Sequence, residues 1–160
     1  SNASSGMGVA EDCRDTFLEL QRKKTHRYVI FKIDEKRKQV IVEKTGDATE
    51  SYDDFMASLP ENDCRYAVYD FDFHFYLVLH LLLLFSTPVH LLALQFKGII
   101  VFFSHVISAI RSPSVSRIRA KMLYATSKDR FRREMDGVHY EIQATDPSEL
   151  DLEILRDRAH

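Results

Sequence analysis

The chain has 160 residues, with 22 lysines and arginines, 24 aspartates and glutamates, and a formal net charge of −2. This length suits one domain with a buried core, and the near-neutral charge argues against a general nucleic-acid binder, which is usually strongly basic. The composition, 45% apolar and 29% charged, is typical of a globular protein. Residues 74–110 differ from the rest, because Lys97 is their single charged residue.

The start of the chain predicts a mobile arm followed by a helix. Residues 1–8 are small and polar and contain glycine, a composition that seldom orders a chain end. Over residues 9–24, the apolar residues Cys13, Phe17 and Leu20 recur at i, i+4 and i+7. This spacing predicts an amphipathic helix with these three side chains on one face.

A hairpin, a short helix and a third strand are predicted next. Residues 27–33 and 39–44 are rich in β-branched and aromatic side chains and flank a charged turn, so they predict a hairpin. Ser51 suits the N-cap of a short helix, which ends before Pro60. The alternating, aromatic-rich residues 64–73 predict the third strand.

The remainder of the chain predicts a helix, a strand and a terminal helix. Pro113 suits the start of a helix over 114–124, and the pair Thr126-Ser127 is expected to bend or interrupt it. Residues 138–144 predict a strand, and a terminal helix is expected from residue 146. Strands interspersed with helices predict an α/β fold of the α+β type, with helices packed on a mixed sheet.

The sequence has none of the common motifs for nucleotide binding or hydrolytic catalysis, so it predicts no enzyme activity, no cofactor and no metal site. Asp70 and Asp72 share a strand face, and we expect solvated acids at the strand end rather than a catalytic pair. Cys13 and Cys64 are expected to be reduced, half-buried thiols of a cytosolic protein, since no signal peptide is visible.

A cationic helix face is the feature that favours protein binding. Arg117, Arg119 and Lys121 lie in the predicted helix, and Lys128 follows the expected bend. These cations flank an apolar stripe formed by Val115, Ile118, Met122 and Ala125. The pattern fits an ordinary solvated helix face, and it also fits a surface that docks onto another protein.

Four stretches resemble the actin-depolymerising factor/cofilin family, in its plant branch. They are ASSGM at 3–7, YDFDF at 69–73, RIRAKMLYATSKDRF at 117–131 and QATDP at 143–147. The resemblance covers about residues 3–73 and 112–160. It implies a single domain over residues 1–160, a mixed sheet of five or six strands flanked by helices, and a protein of the cytoplasm and cytoskeleton, with the nucleus as a further location.

The resemblance also implies the partner, which is actin as monomer and filament, with filaments severed and depolymerised. In the family, a flexible arm and a long helix contact the monomer. The matching positions here are Ser5, Gly6, Met7, Arg117, Arg119, Lys121, Met122 and Lys128. Arg156 and Arg158 are implied on the filament side.

Two modes of regulation follow from the same resemblance. Ser5 matches the serine at which a regulatory protein kinase inhibits the family by phosphorylation. Basic surface residues of the family also bind phosphoinositide lipids in competition with actin.

Residues 74–111 depart from the family pattern. Where the family has a short polar turn and an aromatic strand that ends in tryptophan before Ser-Pro, this chain has a leucine-rich segment and no tryptophan. We expect an atypical insertion or replacement, from a retained intron or a faulty gene model. A membrane span over 74–96 is the alternative, although Pro88 opposes it.

Two expectations follow from this departure. Residues 98–103, which are β-branched and aromatic, are predicted to take the place of the lost strand beside Tyr66–Phe71. The segment also lacks the family's filament-side cations. The alternative function is therefore a membrane- or phosphoinositide-associated module of this family that has lost filament severing.

Overall fold

The computed structural model describes residues 6–72, 104–111, 117–138, 140–144, 147–151 and 153. The chain falls into two compact units, Ser1–Asp70 with Val106–His160, and Phe71–His105. Of the second unit, the structure describes residues 71, 72, 104 and 105. The segments predicted as a membrane span (74–96) and as a replacement strand (98–103) lie outside the described residues.

The described elements are strands interspersed with helices. In chain order they are β1 (Gly8–Val9), α1 (Glu11–Leu18), a π-helical turn (Glu19–Lys23), β2 (His26–Asp34), β3 (Gln39–Asp47), α2 (Tyr52–Ser58), β4 (Arg65–Asp72), β5 (Ser104–Arg111), α3 (Ile118–Glu134), β6 (Tyr140–Ala144) and a 3-10 turn (Pro147–Leu150). The strands form one sheet in the order β1-β3-β2-β4-β5-β6. The predicted α+β fold is confirmed.

The sheet is mixed because antiparallel pairs at its centre are flanked by parallel pairs. β2 and β3 form the predicted hairpin, with Ile33 opposite Val40 near its turn. β2 also pairs antiparallel with β4, with Tyr28 opposite Tyr69. The outer pairs, β1 with β3 and β5 with β6, are parallel.

The neighbour of β4 on its other side is β5, which begins at Ser104. This position was predicted for residues 98–103, which lie outside the described part of the chain; the strand described beside β4 begins just after them. The residues of β5 supply the β-branched side chains that suit a strand between two others, Val106, Ile107 and Ile110. β5 ends at Arg111, and Pro113 follows two residues later in the sequence.

Helices α1 and α3 cover one face of the sheet. Cys13, Phe17 and Leu20 are at most 1% exposed, which confirms the predicted buried face of the first helix. They form one apolar cluster with sheet residues and with Tyr124 and Phe131 of α3. This cluster is the core against which α3 is positioned.

Helix α2 covers the opposite face. Its Phe55 ring packs 5.2 Å from both Tyr28 and Tyr69, measured between ring centroids. Ser51 caps the helix as predicted: its Oγ accepts from the Asp54 N–H, and the Ser51 N–H donates to the Asp54 carboxylate at 2.8 Å. Hydrogen bonds from the Ser51 hydroxyl and N–H lower the pKa of Asp54, because they stabilise the charged carboxylate.

The burial of two thiols and one carboxylate corrects expectations from the sequence. Cys13 and Cys64 form no disulfide, and both are fully buried rather than half-buried. Burial raises the pKa of Cys13 to about 12.

Asp70 is also buried, with the Lys24 ammonium 2.8 Å away, so the prediction of a solvated acid is wrong for this residue. Lys24 reaches it from a left-handed conformation (φ 56°) at the end of the π-helical turn.

Candidate protein-binding face

Helix α3 carries the predicted cationic face. Arg117 is its N-cap residue, and the helix proper begins at Ile118. The predicted start at residues 113–116 lies outside the described part of the chain. The first turn of the helix contains no acidic residue, and Arg117 makes no side-chain capping bond.

The helix continues to Glu134 without the interruption predicted as one alternative at Thr126-Ser127. The Thr126 hydroxyl donates to the Met122 carbonyl at 2.8 Å, and the Ser127 hydroxyl donates to the Leu123 carbonyl. Both hydroxyls are therefore satisfied within the helix, and neither competes for a non-helical backbone. The prediction of an interruption is wrong for this reason.

One side of α3 is fixed to the sheet. The Tyr66 hydroxyl donates to the Tyr124 carbonyl, and its ring stacks on Phe131 with centroids 4.4 Å apart. The Tyr124 hydroxyl accepts the Ile33 N–H of β2 at 2.9 Å. Burial raises the pKa of Tyr124 to about 12, so this hydroxyl stays protonated at neutral pH. These contacts fix the helix relative to β2 and β4.

The other side of α3 presents apolar side chains to solvent. Ile118 is 77% exposed and Met122, one turn later, is 62% exposed. Ala125 continues the stripe and is also exposed, while Val115 lies outside the described residues. Large apolar side chains grouped on the surface characterise interaction sites rather than an ordinary solvated face.

The predicted cations border this stripe. The Arg119 side chain is 81% exposed, and its Nη2 lies 3.1 Å from the Glu35 carboxylate. Arg117 is exposed, and Lys121 and Lys128 are partly buried. An apolar centre with a charged rim is the usual composition of a protein interface.

The arm leads into the same region of the molecule. Gly6 is exposed and has φ 67°, a left-handed conformation that suits glycine. Met7 is only 7% exposed, so its side chain anchors the end of the arm in the domain. β1 follows directly and lies against α3. Ser5, Arg156 and Arg158 lie outside the described residues.

Sequence reasoning missed Glu35, which belongs to the turn of the hairpin. The charged turn marked the hairpin, but nothing in its residues indicated a partner on a helix far along the chain.

Among the described residues, no group of acidic, histidine or cysteine side chains is arranged to hold a metal. Within those same ranges, no helix combines the length and apolar character needed to cross a bilayer.

Known proteins resemble this chain over nearly its whole length. Residues 6–89 and 104–160 match the family of cofilin/tropomyosin-type actin-binding proteins, with residues 90–103 between the two matched stretches. Actin-depolymerizing factor 11 of Oryza sativa subsp. japonica is 64% identical over 160 residues, which span 100% of this chain and 95% of that protein. Actin-depolymerizing factor 6 of Arabidopsis thaliana is 61% identical over 159 residues, 99% of this chain and 94% of that protein.

The fold has solved counterparts as well. A crystal structure of cofilin from Streptomyces griseoflavus superposes with a TM-score of 0.74 at 30% identity, covering 96% of this chain and 97% of that one. The sheet, the anchored helix with its exposed stripe, and these similarities agree. The chain belongs to the cofilin/actin-depolymerising factor family of actin-binding proteins.

Proposed function

We propose that this chain is a non-enzymatic regulator of actin, which binds actin monomers through the stripe face of α3 and severs and depolymerises filaments. The stripe face comprises Ile118, Met122 and Ala125 with the bordering cations Arg117, Arg119, Lys121 and Lys128. The observation that carries the proposal is the exposure of Ile118 and Met122 on a helix whose other side is fixed to the sheet.

Each part of the stripe face makes a different contribution to binding. Burying exposed apolar surface is favourable at about 25 cal/mol per Å², so Ile118 and Met122 supply affinity. The cations at the rim contribute to the rate and orientation of encounter with an acidic surface. Because Tyr124, Ser127 and Phe131 fix the later turns of α3 to the sheet, only the first turns remain to be ordered on binding.

Removing two rim cations tests this assignment. Arg119→Ala with Lys121→Ala should weaken monomer binding, by up to about thirty-fold for two charge contacts. The control is Arg130→Ala with Arg133→Ala, which removes two exposed cations from the far half of the same helix. Affinity is measured by fluorescence titration of labelled ADP-actin, and folding by urea denaturation. Equal affinities for the two folded double variants would refute the assignment of the stripe face as the surface that binds actin.

The arm is the second element of the proposed monomer contact, with Ser5 as the site of an inhibitory kinase. Its support is the exposed Gly6, two residues before the strand β1 that lies against α3, and the match of Ser5-Gly6-Met7 to the family pattern. Phosphorylation adds about −1.5 to −2 charges next to a surface that binds through cations. Ser5→Asp should therefore weaken binding while Ser5→Ala leaves it unchanged. If both bind as the parent does, Ser5 is not the switch; the same pair at Ser4 tests the register.

Lipid binding and filament contacts complete the proposal. The exposed cations Arg117 and Arg119 have the charge to bind phosphoinositide headgroups, which would compete with actin for one surface. We assign Arg156 and Arg158 to the filament side, and place the protein in the cytoplasm and cytoskeleton, with the nucleus as a further location. Sedimentation with filaments and, separately, with phosphoinositide vesicles compares the two partners. Pelleting with vesicles alone would favour the lipid-associated alternative over an actin regulator.

A further inference from the structure

The turn between β2 and β3, residues 34–38, joins the two elements assigned to actin binding. From this turn, the Glu35 carboxylate lies 3.1 Å from the Arg119 guanidinium of α3. The Lys38 carbonyl accepts the Gly8 N–H at 2.8 Å, directly after the arm. The hairpin turn thus contacts both the helix and the end of the arm, although it is not part of the stripe face.

The hairpin turn is held in a defined conformation. The Asp34 carboxylate accepts the N–H groups of Lys36 and Arg37 at 3.0 and 3.2 Å, and Lys38 closes the turn in a left-handed conformation with φ 53°. Just before it, the Ile33 N–H donates to the Tyr124 hydroxyl of α3. Glu35 is therefore presented from a backbone that is tied to the helix it faces.

The start of α3 lacks a local source of negative charge. The N-terminus of a helix carries partial positive charge, so cations in its first turn are unfavourable and acids are favourable. This helix has Arg117, Arg119 and Lys121 there and no acidic residue in its first turn. Glu35, from the hairpin, brings a carboxylate to one of these cations, the Arg119 guanidinium. The unfavourable cations at the start of α3 are thus compensated in part by a residue from another element.

We propose that Glu35 is a positioning residue for actin binding, which holds the Arg119 guanidinium at the edge of the stripe. This inference rests on the proposed function. The ion pair joins one nitrogen, Nη2, to the carboxylate, whereas a guanidinium has five N–H donors. Arg119 is 81% exposed, so its remaining donors face outward, where a carboxylate of actin would meet a side chain already oriented. Orienting a long, flexible side chain before binding lowers the entropic cost of the contact.

A double-mutant cycle tests whether Glu35 acts through Arg119. Glu35→Gln should weaken the affinity for ADP-actin monomers by about two- to five-fold, the range of an exposed ion pair. In the Arg119→Ala background, the same substitution should change the free energy of binding by less than half as much. Glu61→Gln, which removes an exposed acid from the turn after α2, is the charge-matched control and should bind as the parent does. Thermal unfolding confirms that each variant is folded at the assay temperature.

The outcomes distinguish a failure of the role of Glu35 from a failure of the proposed actin-binding face. If Arg119→Ala itself binds as the parent does, the stripe face is wrong and Glu35 has nothing to position. If Arg119→Ala weakens binding but Glu35→Gln leaves it unchanged or tightens it, the positioning role is wrong while the face stands. An equal loss from Glu35→Gln with and without Arg119 would also overturn it, since the effect would not pass through the guanidinium.

Discussion

Replacing Met122 with alanine removes the central large side chain of the stripe while leaving the helix intact. Alanine has the highest helix propensity, and Met122 lies within α3 with 62% of its surface exposed. The truncation therefore costs the free protein little packing. We expect the urea midpoint to remain within the range of ordinary surface substitutions, about 0.5 kcal/mol in unfolding free energy.

The expected loss of affinity follows from that exposed fraction. Fully burying a methionine side chain contributes about 1.5–3 kcal/mol, and 62% of the Met122 surface is still available for a partner. If actin covers this surface, the contribution is about 1–2 kcal/mol, and the dissociation constant should rise about five- to thirty-fold. A charge at this position, Met122→Glu, should weaken binding further, because a desolvated carboxylate would have no partner.

The assay compares this variant with a substitution on the opposite side of the same helix. Titration of fluorescent ADP-actin monomers gives the affinity, and urea denaturation gives the stability. Phe131→Ala is the reciprocal control: Phe131 is 2% exposed in the core, so its truncation should cost about 3–5 kcal/mol in stability. A folded Met122→Ala protein that binds with the affinity of the parent would refute the stripe as the docking surface.

Two further predictions concern stability. Gly46→Ala should destabilise the protein by about 1–3 kcal/mol, because a Cβ there would clash with the ring of the buried Tyr28. Gly8→Ala is the control, since its Cβ would meet nothing closer than 3.7 Å. Equal urea midpoints for the two variants would contradict the clash. Hydrogen bonds from Ser51 lower the folded-state pKa of Asp54. The Asp54 carboxylate therefore stabilises the folded protein above its unfolded-state pKa, and this stabilisation is lost as pH falls through the folded-state pKa. Asp54→Asn should therefore flatten the decline in unfolding free energy between about pH 5 and pH 2, and an unchanged slope would show that this pair has no part in it.

Local patterns predicted much of this fold because their causes are local. The i, i+4, i+7 spacing of Cys13, Phe17 and Leu20 placed the buried side of α1, and Ser51 with Asp54 forms the capping box that its residue type favours. The hairpin turn is also local. Each of these features depends on residues a few positions apart, which a single sequence displays directly.

Features that depend on distant partners were not predictable in the same way. Val106 and its neighbours became β5 because β4 and β6 lie on either side, a fact of topology rather than of propensity. Thr126 and Ser127 suggested an interruption, yet the helix is continuous there and each hydroxyl donates to a carbonyl one turn back. The pairing of Glu35 with Arg119 required the hairpin and α3 to be packed together before either residue showed its role.

The uneven support of α3 has a consequence for its motions. Its buried contacts begin at Tyr124 and continue through Ser127 and Phe131, whereas the first turns carry the exposed Ile118 and Met122. Local opening follows such differences in packing, so backbone amides near Ile118 should exchange with deuterated water sooner than those near Phe131. A partner that seats on the first turns would supply the packing they lack. Binding would then be recorded as slower exchange at the loosely held end of the helix, with the firmly held end as an internal reference.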